Sequence, residues 1–270
     1  MQAAGVGVQN LLTREQMLHK IGTALRKKTD DSAATPGDLA LPDLGPVLPI
    51  ISPEDLVATF EDELRKVGGY TYRAQNRAEV AEALGRVLKM DRPGQPVRFE
   101  GMVLSRNPLL ARAGIKEVIE GLGISAWPWL AVTGSGLAPQ DERTYREHCF
   151  SADAGVTGVD FALAESGSLV ITSRTEGSQL SSLAPPIHIA LYLRSQVAGS
   201  LEEVLGRLAD RGLAPGDSSG RSVVFVTGTS RTADIEQILI RGVHGPREVH
   251  AVLLDWEIGE QSQQAVGKRQ

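Results

Sequence analysis

The chain has 270 residues, room for one sizeable domain with an appendage or for two small ones. Apolar residues make up 41% and charged residues 23%, an ordinary soluble composition, and a net charge of −5 with scattered basic residues argues against nucleic acid as the main partner. No apolar run approaches the roughly 20 residues that cross a bilayer, and the N-terminus lacks an apolar signal core, so the expected location is the cytoplasm.

In chain order, Leu11, Leu12, Met17, Leu18, Ile21 and Leu25 recur at helical spacing, with Arg26-Lys27-Lys28 near the negative end of the helix dipole. Residues 29–49 hold Pro36, Pro42, Pro46 and Pro49 with Gly37 and Gly45, a composition that reads as a linker. Residues 1–49 are therefore expected to be a helical extension that packs on the domain or on a second subunit. The domain proper is placed at 50–257 and a polar tail at 258–270. Ser52 is the expected N-cap of the next helix, with Pro53 at its first position and Leu56, Phe60, Leu64 and Val67 as its buried stripe. Gly68-Gly69 ends that helix, residues 70–73 form a short strand, and Asn76 opens a helix that runs to Lys89. Strands are expected at 97–99 and 130–132, with helix at 116–121. Trp127-Pro128-Trp129 is core or a pocket wall.

The apolar runs Phe161-Ala162-Leu163-Ala164 and Ser168-Leu169-Val170-Ile171 read as strands. Residues 187–193 form a strand, Ser200-Leu201-Glu202-Glu203 is a capping box that opens a helix, 222–227 form a strand, 232–240 a helix, and 249–254 the last strand. Alternation of apolar strands with helices predicts an α/β fold with a mainly parallel sheet and helices on both faces.

Four constellations could carry chemistry. The first is Gly228-Thr229-Ser230-Arg231-Thr232, where a buried strand ends in a turn that runs into the expected helix. Such a turn offers backbone N–H groups, hydroxyls, a helix dipole and the Arg231 cation to a small anion, or is simply a well-capped loop. The second pairs Asp160 with Glu165, which the break at Gly167 holds between two strands. Glu165 then lines a ligand site, or satisfies backbone donors, or pairs with Arg231. The third is His188, at a strand start, and the fourth is His244 in Gly242-Val243-His244-Gly245-Pro246; each is a ligand group or a structural histidine. The expected arrangement places Thr229, Ser230 and Arg231 opposite Glu165 and Asp160 in one cleft at the carboxyl edge of the parallel sheet. The single cysteine, Cys149, excludes an intramolecular disulfide and the four thiolates that an iron–sulfur cluster normally takes. Cys149 itself reads as a small buried hydrophobe.

Residues 155–170, Gly228-Thr229-Ser230-Arg231-Thr232-Ala233-Asp234-Ile235-Glu236 and Gly242-Val243-His244-Gly245-Pro246 together resemble the LUD-domain family of lactate utilization protein C, in order and spacing, over roughly residues 150–255. The resemblance implies a fold like that of the NagB/RpiA/CoA transferase-like proteins. It implies a role in oxidising L-lactate to pyruvate, as a subunit that acts with iron–sulfur partner proteins, binds no cofactor directly, and either binds a small carboxylate or scaffolds the complex. Homo-oligomerisation is a further possibility. Glu165-Ser166-Gly167 is similar to the Glu-x-Gly turn that carries the nucleophile of family I CoA transferases, so the alternative is a stand-alone transferase or sugar-phosphate isomerase that uses Glu165 as its catalytic carboxylate. A small-anion sensor is a third reading. Where relatives carry an arginine before the Leu-Pro and His of the third region, this chain has Gln179.

Overall fold

The computed structural model describes residues 51–90, 99–129, 139–210, 222–233, 239–242, 244–256 and 258, together with residues 15–17, 19, 20 and 23, which are helical. Leu48–Gln270 form one compact unit, separate from Met1–Val47. That unit begins with α1 (Leu56–Lys66), β1 (Tyr70–Ala74), α2 (Arg77–Leu88), β2 (Gly101–Leu104), α3 (Pro108–Ala113), α4 (Ile115–Gly121), β3 (Ser125–Pro128), α5 (Pro139–Ser151) and β4 (Ala154–Thr157). It continues through β5 (Phe161–Leu163), β6 (Ser168–Thr172), α6 (Ser173–Glu176), α7 (Leu180–Leu183), β7 (Ile187–Tyr192), β8 (Val197–Ala198) and α8 (Leu201–Leu208). The last described elements are β9 (Val223–Val226), β10 (Arg231–Ala233), β11 (Leu239–Arg241) and β12 (Glu248–Leu254).

Caps readable in the sequence set several of these boundaries. Asn76 Oδ1 accepts the Glu79 N–H at 3.0 Å, while Glu79 Oε2 accepts the Gln75 N–H at 2.9 Å, so α2 starts at Arg77. Ser200 Oγ accepts the Glu203 N–H at 3.2 Å, and Glu203 Oε2 accepts from Gly199 N at 2.8 Å, which opens α8. α1 departs from expectation. It begins at Leu56, and Ser52 Oγ donates to Asp55 Oδ2 at 2.8 Å instead of capping the helix. The first described strand after α2 lies at Gly101–Leu104; the expected strands at 97–99, apart from Phe99, and at 130–132 fall outside the described residues.

The central sheet is six-stranded and parallel, in the order β1-β12-β7-β4-β2-β3. Both faces are buried, which is why its strands read as near-continuous apolar runs. On one face Ala74, Met102, Leu104, Val156, Ile189, Leu191, Val252 and Leu254 pack with Val80, Leu84 and Val87 of α2, Leu109 and Leu110 of α3, and Ile115 and Ile119 of α4. On the other, Ala190, Tyr192, Ala251 and Leu253 meet Val57, Phe60 and Leu64 of α1 and Ala162, Leu169 and Ile171. Tyr145 and Cys149 of α5 pack against Val103 on that second face.

Ala162, Leu169 and Ile171 belong to a second, four-stranded sheet in the order β8-β5-β6-β9. Here the structure corrects the sequence reading twice. β9, expected in the parallel sheet, pairs antiparallel with β6, with Leu169 opposite Val226. Residues 232–240, expected as one helix, have strands at both ends: β10 and β11 pair antiparallel, with Arg231 opposite Arg241. Thr232, Ile235, Ile238 and Ile240 make this stretch rich in β-branched side chains, which resist helix and fit a pleated strand. Among the described residues no helix is long and apolar enough to cross a membrane.

α7 lies across β4 because Gly155 leaves it room. A Cβ on Gly155 would stand 1.7 Å from the Ser181 carbonyl oxygen. Gly155→Ala is therefore expected to push α7 off the sheet and cost roughly 1–3 kcal/mol in chemical denaturation. Gly85, inside α2 with no atom within 4 Å of its would-be Cβ, makes the contrasting case: Gly85→Ala is expected to stabilise by roughly 0.5–1 kcal/mol.

Candidate functional site

The chain leaves the carboxyl ends of β2 and β4 in opposite directions. After β2 it enters α3 and α4 on one face and moves outward to β3; after β4 it crosses to β5 on the other face, and the later strands β7 and β12 add on the opposite side. Open parallel sheets leave a crevice where strand order reverses in this way, and ligands bind there. Ser105-Arg106-Asn107 forms one wall and Gly158-Val159-Asp160 the other. The Ser105 N–H donates to the Val156 carbonyl at 3.0 Å, so the walls touch at the base.

Glu176, the last residue of α6, fills the space between them. Its side chain is 0% exposed. The carboxyl accepts hydrogen bonds from Ser105 Oγ, from Asn107 Nδ2 and, at 3.2 Å, from the Gly158 N–H, so one group ties both walls together. Asn107 also caps α3, since its Oδ1 accepts the Leu109 N–H at 2.9 Å. Asp160 is buried beside this cluster and accepts from the Thr172 N–H and from Thr175 Oγ1, both at 2.8 Å. Burial raises the pKa of Glu176, the Asn107 and Ser105 donors oppose that shift, and the nearby Asp160 charge adds to it.

Arg106 and Arg174, on the loop and the helix that hold these acids, are exposed. The Arg106 N–H donates to the Glu176 carbonyl at 3.1 Å, and Arg106 Nη2 donates to the Arg174 carbonyl at 2.6 Å, which fixes the guanidinium over α6. The Trp129 ring closes the β3 side: a Cβ on Gly177 would lie 3.2 Å from it. The arrangement is a polar crevice with the Arg106 cation beside it and buried carboxyls at its floor, suited to a small anion.

The sequence-predicted residues divide among three places. Asp160 is in the crevice. Glu165 lies at the far end of the β5–β6 hairpin, half-buried, where Oε1 accepts the Leu201 N–H at 2.9 Å at the start of α8. Beside it, Ser166, Ser168 and Thr227 form a chain of hydroxyls with steps of 2.8 and 2.6 Å, so the Glu165 turn and the Gly228 turn are neighbours. The expected single cleft with Asp160 does not form, because β9 runs antiparallel to β6 and ends on the side away from the crevice. Thr229 is buried, and Ser230 lies at the amino end of the parallel sheet: its N–H donates to the Pro246 carbonyl at 3.0 Å, and the Arg247 N–H donates to Pro186, just before β7, at 2.7 Å. Arg231 opens β10 at that same turn, and its side chain falls outside the described residues. His244 is exposed in the neighbouring turn.

His188 is in β7 opposite Gly155, and 0% exposed. Its Nε2 shares a 2.8 Å hydrogen bond with Thr157 Oγ1. Burial, with a smaller contribution from His250, pushes its pKa down to about 3. Cys149 is fully buried in the Val103–Tyr145 cluster, and burial pushes its thiol up to about 11.

Sequence reasoning missed Ser105, Arg106, Asn107 and Glu176. The pair Asn107-Pro108 carried a helix-start signal, but the strand before it had been placed at 97–99, which hid its position at a strand end. Glu176 offered no signal, because its short polar segment has no apolar frame of its own.

The crevice and sheet define an α/β protein with its polar centre at the carboxyl edge of a parallel sheet. Residues 57–254 match the model of the LUD domain, and the chain belongs to that family. It is similar to a lactate utilization protein C of Deinococcus radiodurans, 27% identical over 77% of this chain and 84% of that protein. Proteins of the same description from Bacillus licheniformis (32% identical, over 49% of this chain and 52% of that protein) and Exiguobacterium (37%, over 48% and 57%) are also similar. A crystal structure of a DUF162 family protein from Deinococcus radiodurans covers 76% of this chain and 99% of its own, at 20% identity and a TM-score of 0.48.

The buried histidine makes stability pH-dependent in a defined direction. In the folded protein His188 stays neutral down to about pH 3, whereas the unfolded chain takes up a proton near 6.5. Its contribution is present above 6.5 and is lost as pH falls toward the folded value. Between pH 7 and 5.5 the wild type should lose about 1 kcal/mol more stability than His188→Gln in parallel denaturant titrations. Glu176, with its raised pKa, acts in the opposite sense: its contribution is present below the unfolded value of 4.5 and is lost as pH rises through the folded one, so Glu176→Gln should remove that decline.

Proposed function

We propose that the chain is a cytoplasmic, non-redox subunit of an L-lactate utilization system, and that it binds a small carboxylate in the crevice between β2 and β4. The observation that carries this reading is the Glu176 crevice, with exposed Arg106 and Arg174 on the loop and helix that form it, at the point of a parallel sheet where ligands bind. The family and the shared description of its relatives as lactate utilization protein C supply the substrate class. In this reading Arg106 and Arg174 take the carboxylate by charge-assisted hydrogen bonds, while Asp160 and Glu176 hold the two loops in place. Oxidation of lactate to pyruvate releases two electrons. One cysteine cannot ligate a cluster to receive them, so iron–sulfur partner proteins are assigned that task.

The transferase alternative draws less support, because the Glu165 carboxylate is engaged with the Leu201 N–H at the start of α8. Thr229, Ser230, Arg231 and His244 remain a second candidate anion turn, and the test separates the two places. L-Lactate and pyruvate are titrated calorimetrically against the wild type, Arg106→Ala and Arg231→Ala. Arg106→Ala should weaken binding by about 1.5–3 kcal/mol with the melting temperature preserved. Loss confined to Arg231→Ala moves the site to the Gly228 turn, and the absence of binding to any form overturns the proposal. The purified chain should be colourless, and a stoichiometric iron or flavin spectrum would contradict the non-redox assignment.

A further inference from the structure

Buried polar atoms are almost always hydrogen-bonded, and the exceptions call for a reason. Among the described residues two side-chain donors beside the crevice break the rule. Trp129 Nε1 and Gln179 Nε2 are buried and have no hydrogen-bond partner. They flank the same glycine: the Trp129 ring lies against Gly177, and Gln179 follows it by two residues.

The Trp129 ring is held by everything except its N–H. Its backbone N–H donates to the Leu104 carbonyl at 3.0 Å, and its ring meets Tyr145 edge to face at 4.6 Å between centroids. Tyr145 in turn donates its hydroxyl to Leu104 O at 2.9 Å, which anchors this aromatic wall to the end of β2. Gln179 precedes α7 without capping it, while its carbonyl accepts Ser182 N–H and Oγ–H at 3.1 and 2.9 Å. The Trp129 ring is thus held by packing and the Gln179 backbone by hydrogen bonds, with both side-chain N–H groups left over. Arg106, at the next step along the same loop from Leu104, donates its backbone N–H to Glu176, the residue before Gly177.

We infer that Trp129 Nε1–H and Gln179 Nε2–H form a donor pair that receives the 2-oxygen, hydroxyl or keto, of a 2-hydroxy or 2-oxo acid whose carboxylate is held at Arg106. The inference rests on the crevice reading above and adds the feature that selects among carboxylates. A site built to satisfy a substrate oxygen rejects the analogue that lacks it, since the donors are then left buried and unmet. Propionate has the size and charge of lactate and lacks that oxygen.

The test titrates L-lactate, pyruvate and propionate against the wild type, Trp129→Phe and Gln179→Leu, followed calorimetrically and by tryptophan fluorescence, with circular dichroism as the folding control. The wild type should prefer lactate or pyruvate over propionate by roughly tenfold or more. Either variant should bring that ratio close to one through weaker binding of the oxygenated acids, with propionate affinity changed less than about twofold. A preference that survives in both variants, or a wild type that binds all three acids alike, overturns this inference and leaves the carboxylate site standing. Should the wild type bind none of the acids, the crevice reading falls and the donor pair with it. If Trp129→Phe fails to fold, Gln179→Leu alone decides the outcome.

Discussion

Much of this structure depends on one buried carboxyl. Two loops diverge from adjacent parallel strands, joined at their base by the Ser105–Val156 backbone bond. Glu176 bridges them by accepting donors from both sides, Ser105 and Asn107 on one and Gly158 on the other. The same residue fixes the end of α6, whose backbone orients Arg106. Removal of a partner in such a network leaves another buried polar group unmet, so its members stand or fall together. The position of the Arg106 cation is thereby tied to the acid at the floor.

The second constraint is that a parallel sheet must be covered on both faces. Helices α2, α3 and α4 cover one. The other is covered unevenly, by α1, α5, α7 and the second, mixed sheet, whose strands β5 and β6 are inserted in the chain between β4 and β7. That insertion brings polar groups inside. Thr157 and His188 face the covered side and share one hydrogen bond through His188 Nε2, and Asp160 accepts the Thr172 N–H where the chain leaves β6. The polar interior follows from the way the chain enters and leaves the inserted sheet.

Several elements were legible in the sequence because their information is local. Asn76 and Ser200 announced their helices through caps, and the apolar runs in β7 and β12 announced buried strands. The α/β class followed from their alternation. β9 shows where this ends: four apolar residues suit either a parallel or an antiparallel neighbour, and only the partner decides. The stretch Arg231–Ala233 with Leu239–Arg241 shows the same for periodicity, since a segment read as one helix has paired strands at its two ends. Within the candidate site Asp160 was legible because glycines frame it. Trp129 and Gln179 were noted only as a pocket-wall candidate and a replaced arginine, and Glu176 and Arg106 not at all, since what makes them notable is a meeting across long stretches of chain, 71 residues between Ser105 and Glu176.

The position of Cys149 has a chemical consequence. A thiol attacks and is attacked as its thiolate. With its acidity reduced to a pKa of about 11 and no solvent exposure, Cys149 holds on the order of one molecule in ten thousand in that form at neutral pH. The chain therefore presents almost no sulfur nucleophile to peroxide, to disulfides or to electrophilic metabolites. The low reactivity of this thiol comes from where it is packed.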